Sequence, residues 1–532
     1  MNETTPKTPP EEPDRSDEPP VGDEQDSGQR RWRFPTAFTV LAIVLLAVWI
    51  ASFIIPSGSY ETDKAGAPVP GTYTELPDCT GERGEGPCAD KSVPEQLRQL
   101  WISVPNGLYG IENARGNVDP FNAGFLYGSA MIFLFVLAVG AFVSVTMQTE
   151  AIQTGIGRLA LRFKHSGSIL VIVLMSIFAL GGTTYGMWEE TLGFFALLVP
   201  LVLALNYDRL VAASIIFLGA GTGVLASTVN PFATGVASDA AGIDVGDGIV
   251  LRVLMWVVLV GIAIGYVLLY CRRIRQDPSK SIVGISAADA EESQSLVEDV
   301  PPLSGRQKGI LTVFFLAFAI MIYGFVPWDD VMDTVFGTDW PFPTFETFYF
   351  AESSVVFVIA AVIIGLIGKL GEERTVNAIV AGAGEFLGAA LVIVLARAVT
   401  VVMKNADITD TIIHWTEDAV SGTSGAVFGP LAFLVNIPIA FLVPSSSGHA
   451  ALIMPILAPL ADFANVQRSI AVTAFQSASG LVNYITPTSA VVMGGLVLAK
   501  VRYDHYLRFA LPFVVVIAVA VCAFLAIGEA VS

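Results

Sequence analysis

Uninterrupted apolar runs alternate with short polar segments along most of the chain. The runs at 36–55, 122–148, 249–271, 309–327, 352–368, 386–403 and 505–528 approach or exceed the roughly 20 residues a helix needs to cross a bilayer. They predict an all-α polytopic membrane protein. Arg30, Arg31 and Arg33 precede the first span, Arg272, Arg273 and Arg275 follow 249–271, and Arg306 and Lys308 precede 309–327. Cytoplasmic flanks carry such a basic excess. The N-terminus and 272–308 are therefore expected in the cytoplasm, and 56–117 outside. The stretch 149–165, with Arg158, Arg162, Lys164 and His165, reads as an interfacial helix on the inner face.

Two regions break this pattern. Arms 167–183 and 191–205 flank a polar tip running to Thr191 that includes Thr184, Glu189 and Glu190. Arms 425–443 and 450–461 flank Pro444-Ser445-Ser446-Ser447-Gly448-His449. The arms are short for spanning helices and predict re-entrant hairpins entered from opposite sides. A broken helix follows each hairpin, around Ser227-Thr228-Val229-Asn230-Pro231 and around Asn483-Tyr484-Ile485-Thr486-Pro487-Thr488. Proline removes a donor and clashes with the preceding turn. Such breaks are tolerated in a bilayer only where protein or a water-filled cavity satisfies the backbone.

The two halves match element by element with opposite direction. Glu190 lies 41 positions before Pro231, and His449 lies 38 before Pro487. The expected organisation is an acidic disordered tail over 1–34, a first inverted repeat over 35–271, a linker over 272–308, a connecting helix over 309–327 and a second repeat over 328–532. Interrupted segments at corresponding positions of two halves point to the binding site of a secondary transporter.

Composition narrows the class further. Of 532 residues, 53% are hydrophobic and 14% charged, with a formal net charge of -19. Nucleic-acid binding needs a basic face and is excluded. Cys79 and Cys88 share a polar loop and can pair if it is outside. The histidines at 165, 414, 449 and 505 are scattered, and no nucleophile-elbow or zinc motif occurs. No metal or cofactor is expected, nor an enzyme, and opposed hairpins favour a carrier over a channel.

Pro444-Ser-Ser-Ser-Gly-His-Ala-Ala-Leu-Ile-Met-Pro455, Gln476-Ser-Ala-Ser-Gly480 and Ile485-Thr-Pro-Thr-Ser489, with Tyr185-Gly-Met-Trp-Glu-Glu190 and Asn230-Pro-Phe232 in the first half, resemble the YfcC family, which is related to the anaerobic dicarboxylate carriers. The resemblance covers about residues 35–528. It implies an ion-transporter-superfamily carrier in the cytoplasmic membrane, with a scaffold and an elevator-like moving transport domain, usually a homodimer. Members carry dicarboxylates, short-chain organic acids, or arginine exchanged for ornithine.

The candidate substrate groups are Thr184, Glu189 and Glu190 at one tip and Ser445, Ser446, Ser447 and His449 at the other, with Asn230, Asn483, Thr486 and Thr488 at the breaks. A carboxylate at the bilayer centre costs about 2.5–3.5 kcal/mol on insertion scales and is usually kept for binding or proton relay. Thr228, Asn230, Asn483 and Thr486 equally suit sodium, so sodium and proton coupling both stay open. Arg397, inside an apolar span, can take a substrate carboxylate, snorkel, or neutralise Glu189 or Glu190. The carboxylates favour an amino group and Arg397 a carboxylate. An amino acid would use both; a dicarboxylate or short-chain acid is the alternative.

Overall fold

A computed structural model describes residues 37–62, 68–77, 90–113, 116–163, 166–286, 289, 301–338, 340–345, 348–420, 425–443, 445–487 and 489–531. The tail 1–34, Cys79, Cys88, Lys164, His165, Pro444, Thr488 and most of 287–300 lie outside the described residues.

The protein is mostly helical. In chain order come α1 (Ala37–Ala51), α2 (Val93–Tyr109), α3 (Ala130–Met147), α4 (Ala151–Arg162), α5 (Gly167–Tyr185), α6 (Phe195–Ala204), α7 (Arg209–Leu225), α8 (Val236–Ala241) and α9 (Ile249–Gln276). The second half holds α10 (Gly305–Phe325), α11 (Trp328–Phe336), α12 (Phe350–Gly368), α13 (Glu372–Asn405), α14 (Thr409–Val420), α15 (Gly425–Leu442), α16 (Ser446–Phe463), α17 (Arg468–Asn483), α18 (Ala490–Leu498) and α19 (Tyr503–Val531). Among the described residues, seven helices (α3, α5, α9, α10, α12, α13 and α19) are long and apolar enough to cross a membrane.

Boundaries differ from expectation where capping outweighs hydropathy. The helix expected over 386–403 begins at Glu372 and runs 34 residues. Glu372 and Glu373 occupy its first turn, where negative charge complements the helix dipole. The arm expected over 450–461 begins at Ser446, because Ser445 caps it and accepts from the Gly448 N–H at 3.2 Å. Ser446 and Ser447 are thus in the first helical turn, with Ser445 at its cap. The first arm, α5, is 19 residues long, so it is not short for a span.

The segment 56–117 is more than a loop. It carries an antiparallel pair, β1 (Gly58–Ser59) with β2 (Thr74–Glu75), and part of a three-stranded sheet in which β3 (Ile111–Glu112) lies between β4 (Val118–Asp119) and β5 (Phe125–Leu126). It also holds α2, whose amphipathicity is reversed. Gln96, Gln99, Ser103 and Asn106 are buried, while Val93, Leu97 and Trp101 (82% exposed) face outward. The buried face is paired: Ser52 Oγ donates to Gln96 Oε1 at 2.8 Å, and Asn405 Nδ2 donates to Gln99 Oε1 at 2.6 Å. A helix whose other side meets water turns its apolar side inward; this outward face suits lipid.

The helices pack in two groups. In one, α13 runs along α1, α2 and α3, and α3 also meets α12, with Phe142 and Phe318 each in ring contact with the other and with Phe314 and Phe357. In the other, α7 packs on α5, α9 and α17, and α15 on α17 and α19. Every residue of α7 is buried. Close approach of α5 and α7 requires Gly223, since a Cβ there would lie 2.2 Å from the Ala179 carbonyl oxygen.

Candidate functional site

The polar punctuation of both halves converges on one cavity of about 1,020 Å³. Its walls come from the first tip (Gly186, Trp188, Glu189, Glu190), the first break (Asn230, Phe232), the second tip (Ser445, Ser446, Ser447) and the second break (Asn483, Thr486, Ser489). The α3 and α13 side adds Ser144, Gln148, Arg374, Glu385 and Phe386.

Local conformation places each group. Gly186 ends α5 in the left-handed region (φ 78°), and a Cβ there would stand 2.8 Å from Asn230 Oδ1. Only glycine satisfies both conditions. The chain then enters a 3-10 helix, Glu189–Phe194, which directs both carboxylates at the cavity. Glu190 Oε2 accepts from the Trp188 N–H at 3.3 Å, whereas Glu189 is exposed to the cavity. At the opposite tip, Ser446 Oγ lies 2.9 Å from Ser479 Oγ on α17.

The two breaks are not equivalent. At the first, Asn230 Oδ1 accepts from the Phe232 N–H at 2.8 Å and Asn230 Nδ2 donates to the Gly182 carbonyl at 3.5 Å. Thr183 anchors the same break: its Oγ1 accepts from the Thr228 N–H at 2.9 Å and donates to Thr228 Oγ1 at 3.1 Å. At the second break, Asn483 lines the cavity.

Several expected site residues lie elsewhere. Thr184 Oγ1 donates to the Leu180 carbonyl of its own helix at 2.8 Å. Thr228 is taken up by Thr183 and does not line the cavity. His449 is fully buried, with Nε2 2.9 Å from Asn436 Oδ1 and its ring edge-on to Phe475. Arg397 does not reach Glu189 or Glu190. Its guanidinium donates to Asp239, and both line a second cavity of about 780 Å³. The two cavities draw on opposite ends of α13: Arg374 to Ala389 border the first, and Arg397 to Lys404 the second. Sequence reasoning missed Trp188, Phe232, Glu385 and Thr183. Glu385, a carboxylate just before an apolar run, offered a signal, and Trp188 and Phe232 stand in the segments that carry the family resemblance.

A family model described as C4-dicarboxylate anaerobic carrier, DcuC, matches residues 34–530. The chain belongs to the C4-dicarboxylate anaerobic carrier family. An uncharacterized protein of Haemophilus influenzae is 33% identical over 509 residues, covering 91% of this chain and 95% of that protein. YfcC of Escherichia coli, a candidate basic amino acid antiporter, is 28% identical over 497 residues, covering 90% and 93%. The expected YfcC resemblance therefore holds. Among solved structures, Neisseria gonorrhoeae MtrF, described within a class of antimetabolite efflux pumps, aligns with a TM-score of 0.60 at 16% identity, over 93% of this chain and 95% of its own. The Alcanivorax borkumensis YdaH transporter aligns at 0.63 and 13% identity, over 93% and 98%. These two establish likeness of fold. As a C4-dicarboxylate anaerobic carrier family member, the protein is a multi-pass membrane transporter and not an enzyme.

Proposed function

We propose that the protein is a secondary active transporter of the cytoplasmic membrane that takes a small amino acid through the cavity between the two tips. The observation that carries this reading is the convergence of both tips and both breaks on one cavity. Electrostatics favours an amino-bearing substrate: among the described residues, the charged lining residues are Glu150, Glu189, Glu190 and Glu385 against Arg374. Four carboxylates in a confined space attract a cationic group and repel a second carboxylate. The name of the E. coli relative points the same way. The alternative, a dicarboxylate or short-chain organic acid, draws support from the family description and from the α16 N-terminus at Ser446 and Ser447 in the cavity wall, since helix N-termini suit an anion.

The mechanism we infer is of the elevator type. Two inverted repeats, 35–271 and 328–532, joined through the linker 272–308 and the helix 309–327, would supply a scaffold around α3 and α13 and a moving unit around α7 and α17. A cytoplasmic N-terminus follows from the basic flanks, and a homodimer from the resemblance. The coupling ion, sodium or proton, would be read at Glu189, Glu190, Asn483 and Thr486.

A thermal-shift screen of the purified protein against L-arginine, L-lysine, L-ornithine, succinate, fumarate and lactate tests the substrate class. The expected result is stabilisation by an amino acid. Stabilisation by succinate or fumarate alone would establish the alternative.

A further inference from the structure

The second cavity holds an ion pair that is only half used. Arg397 on α13 is 6% exposed, stacks over the Tyr127 ring at 4.9 Å, and gives Nη2 to Asp239 Oδ2. Its Nε is buried without a partner. A buried donor left without an acceptor is costly. Asp239, on the short α8, keeps its side chain 28% exposed, and both residues line the cavity.

We propose that the Arg397–Asp239 pair is a loading site for the head group of an α-amino acid, which inserts its carboxylate toward Arg397 and its ammonium toward Asp239. This rests on the amino-acid reading above. A planar guanidinium matches a carboxylate with two parallel hydrogen bonds, and the idle Nε supplies the second donor. Asp239, displaced from Arg397, receives the ammonium, so neither buried charge is left unpaired. A dicarboxylate has no group to offer Asp239. The same cavity has room and charge for a cationic side chain. Lys404 is engaged by Glu112 and Arg468 by Asp462, while Asp407 and Asp410 add carboxylates to the lining. Asp239 lies four residues past the Pro231–Gly235 turn, whose Phe232 borders the first cavity. Insertion of a head group would therefore detach α8 from α13 at the point where the two cavities come closest along the chain.

The test is equilibrium binding to the purified full chain of L-arginine, of agmatine, which lacks the carboxylate, and of 5-guanidinopentanoate, which lacks the α-amino group. The parent should prefer L-arginine over each analogue by roughly tenfold or more, the scale of one charge-assisted hydrogen bond. Arg397→Gln should abolish the preference over agmatine, with agmatine bound no more weakly than by the parent, because Asp239 is already released from its partner. Asp239→Asn should do the same for 5-guanidinopentanoate. Arg397→Lys, which keeps the charge, should retain part of the preference if the glutamine variant fails to fold. Equal weakening of L-arginine and agmatine by Arg397→Gln, or no change in either, would overturn the loading site. Loss of all three ligands in Asn483→Ala would in that case leave the first cavity's reading intact. Binding of succinate and none of the three guanidino ligands by the parent would overturn both.

Discussion

Thr234, just past the first helix break, donates a 2.7 Å hydrogen bond to Gln476 of α17, 242 positions away. The same glutamine returns a 2.8 Å bond from Nε2 to the Ser227 carbonyl. One fully buried side chain thus satisfies a hydroxyl and a carbonyl freed where α7 stops. The break is held open by a residue of the other half.

Removing that tie should cost stability. Gln476→Ala removes two buried bonds and leaves Thr234 Oγ1 and the Ser227 carbonyl only their contacts within the break, Thr234 Oγ1 with Ser227 Oγ and with that carbonyl at 3.4 Å, a loss of about 1–3 kcal/mol for the two bonds. The thermal midpoint in a fixed detergent should fall clearly below the parent's. An unchanged midpoint would mean that water replaces the amide.

Asn230→Ala should also act on the fold more than on binding. Its Oδ1 caps the turn at Phe232, and losing such a cap costs about 0.5–2 kcal/mol. Expression and thermal midpoint should drop, while substrate affinity of the surviving protein changes less than for Asn483→Ala. Normal stability with lost binding would make Asn230 a direct ligand.

Asp407 predicts a pH dependence. It lies between α13 and α14, and burial, then the nearby Asp410 charge, push its carboxyl up to about 6 against the weaker pull of Lys91. The folded state therefore holds this proton more tightly than the unfolded chain does. The stability that the proton supplies is full below 3.8 and is lost as pH rises through about 6. Asp407→Asn keeps the left-handed backbone (φ 53°), which asparagine tolerates. Its gain over the parent should be of order 1–3 kcal/mol at about pH 7.5 and vanish near pH 4. Equal pH profiles for parent and variant would contradict this.

Orientation is checked by labelling. Glu75→Cys in β2 and Lys280→Cys beyond α9 replace exposed residues. With an impermeant thiol reagent, the first should label from outside intact cells and the second only after permeabilisation. Labelling of both from the same side would remove the basis for an inverted repeat.

Long apolar runs made most spanning helices legible, and Pro231 and Pro487 marked both breaks within a few residues. What hydropathy could not supply was pairing across the chain. Arg397 reads as an isolated charge in an apolar span until Asp239, 158 positions earlier, is brought to it by folding. Thr183, and not the neighbouring Thr184, secures Thr228, because one step along a helix turns a side chain by about 100°. The α2 helix was hidden because its buried face is polar and its lipid-suited face apolar, so its average hydropathy resembles that of a loop. Trp188 and Phe232 carry no polar signal; they stand in the segments that carry the family resemblance, but the assembled cavity is what puts them in its wall.

The central claim is that the substrate sits between the two tips and the two breaks. Equilibrium binding of the substrate found by the thermal-shift screen, compared between the parent and Asn483→Ala, tests it most directly. Asn483 lines the cavity, so its removal should leave the thermal midpoint of the free protein unchanged. The loss of about 1–3 kcal/mol at one bound polar group corresponds to roughly 5- to 150-fold weaker binding. A variant with the parent's affinity would contradict the account and leave the cavity's polar lining with the sole task of satisfying broken helices.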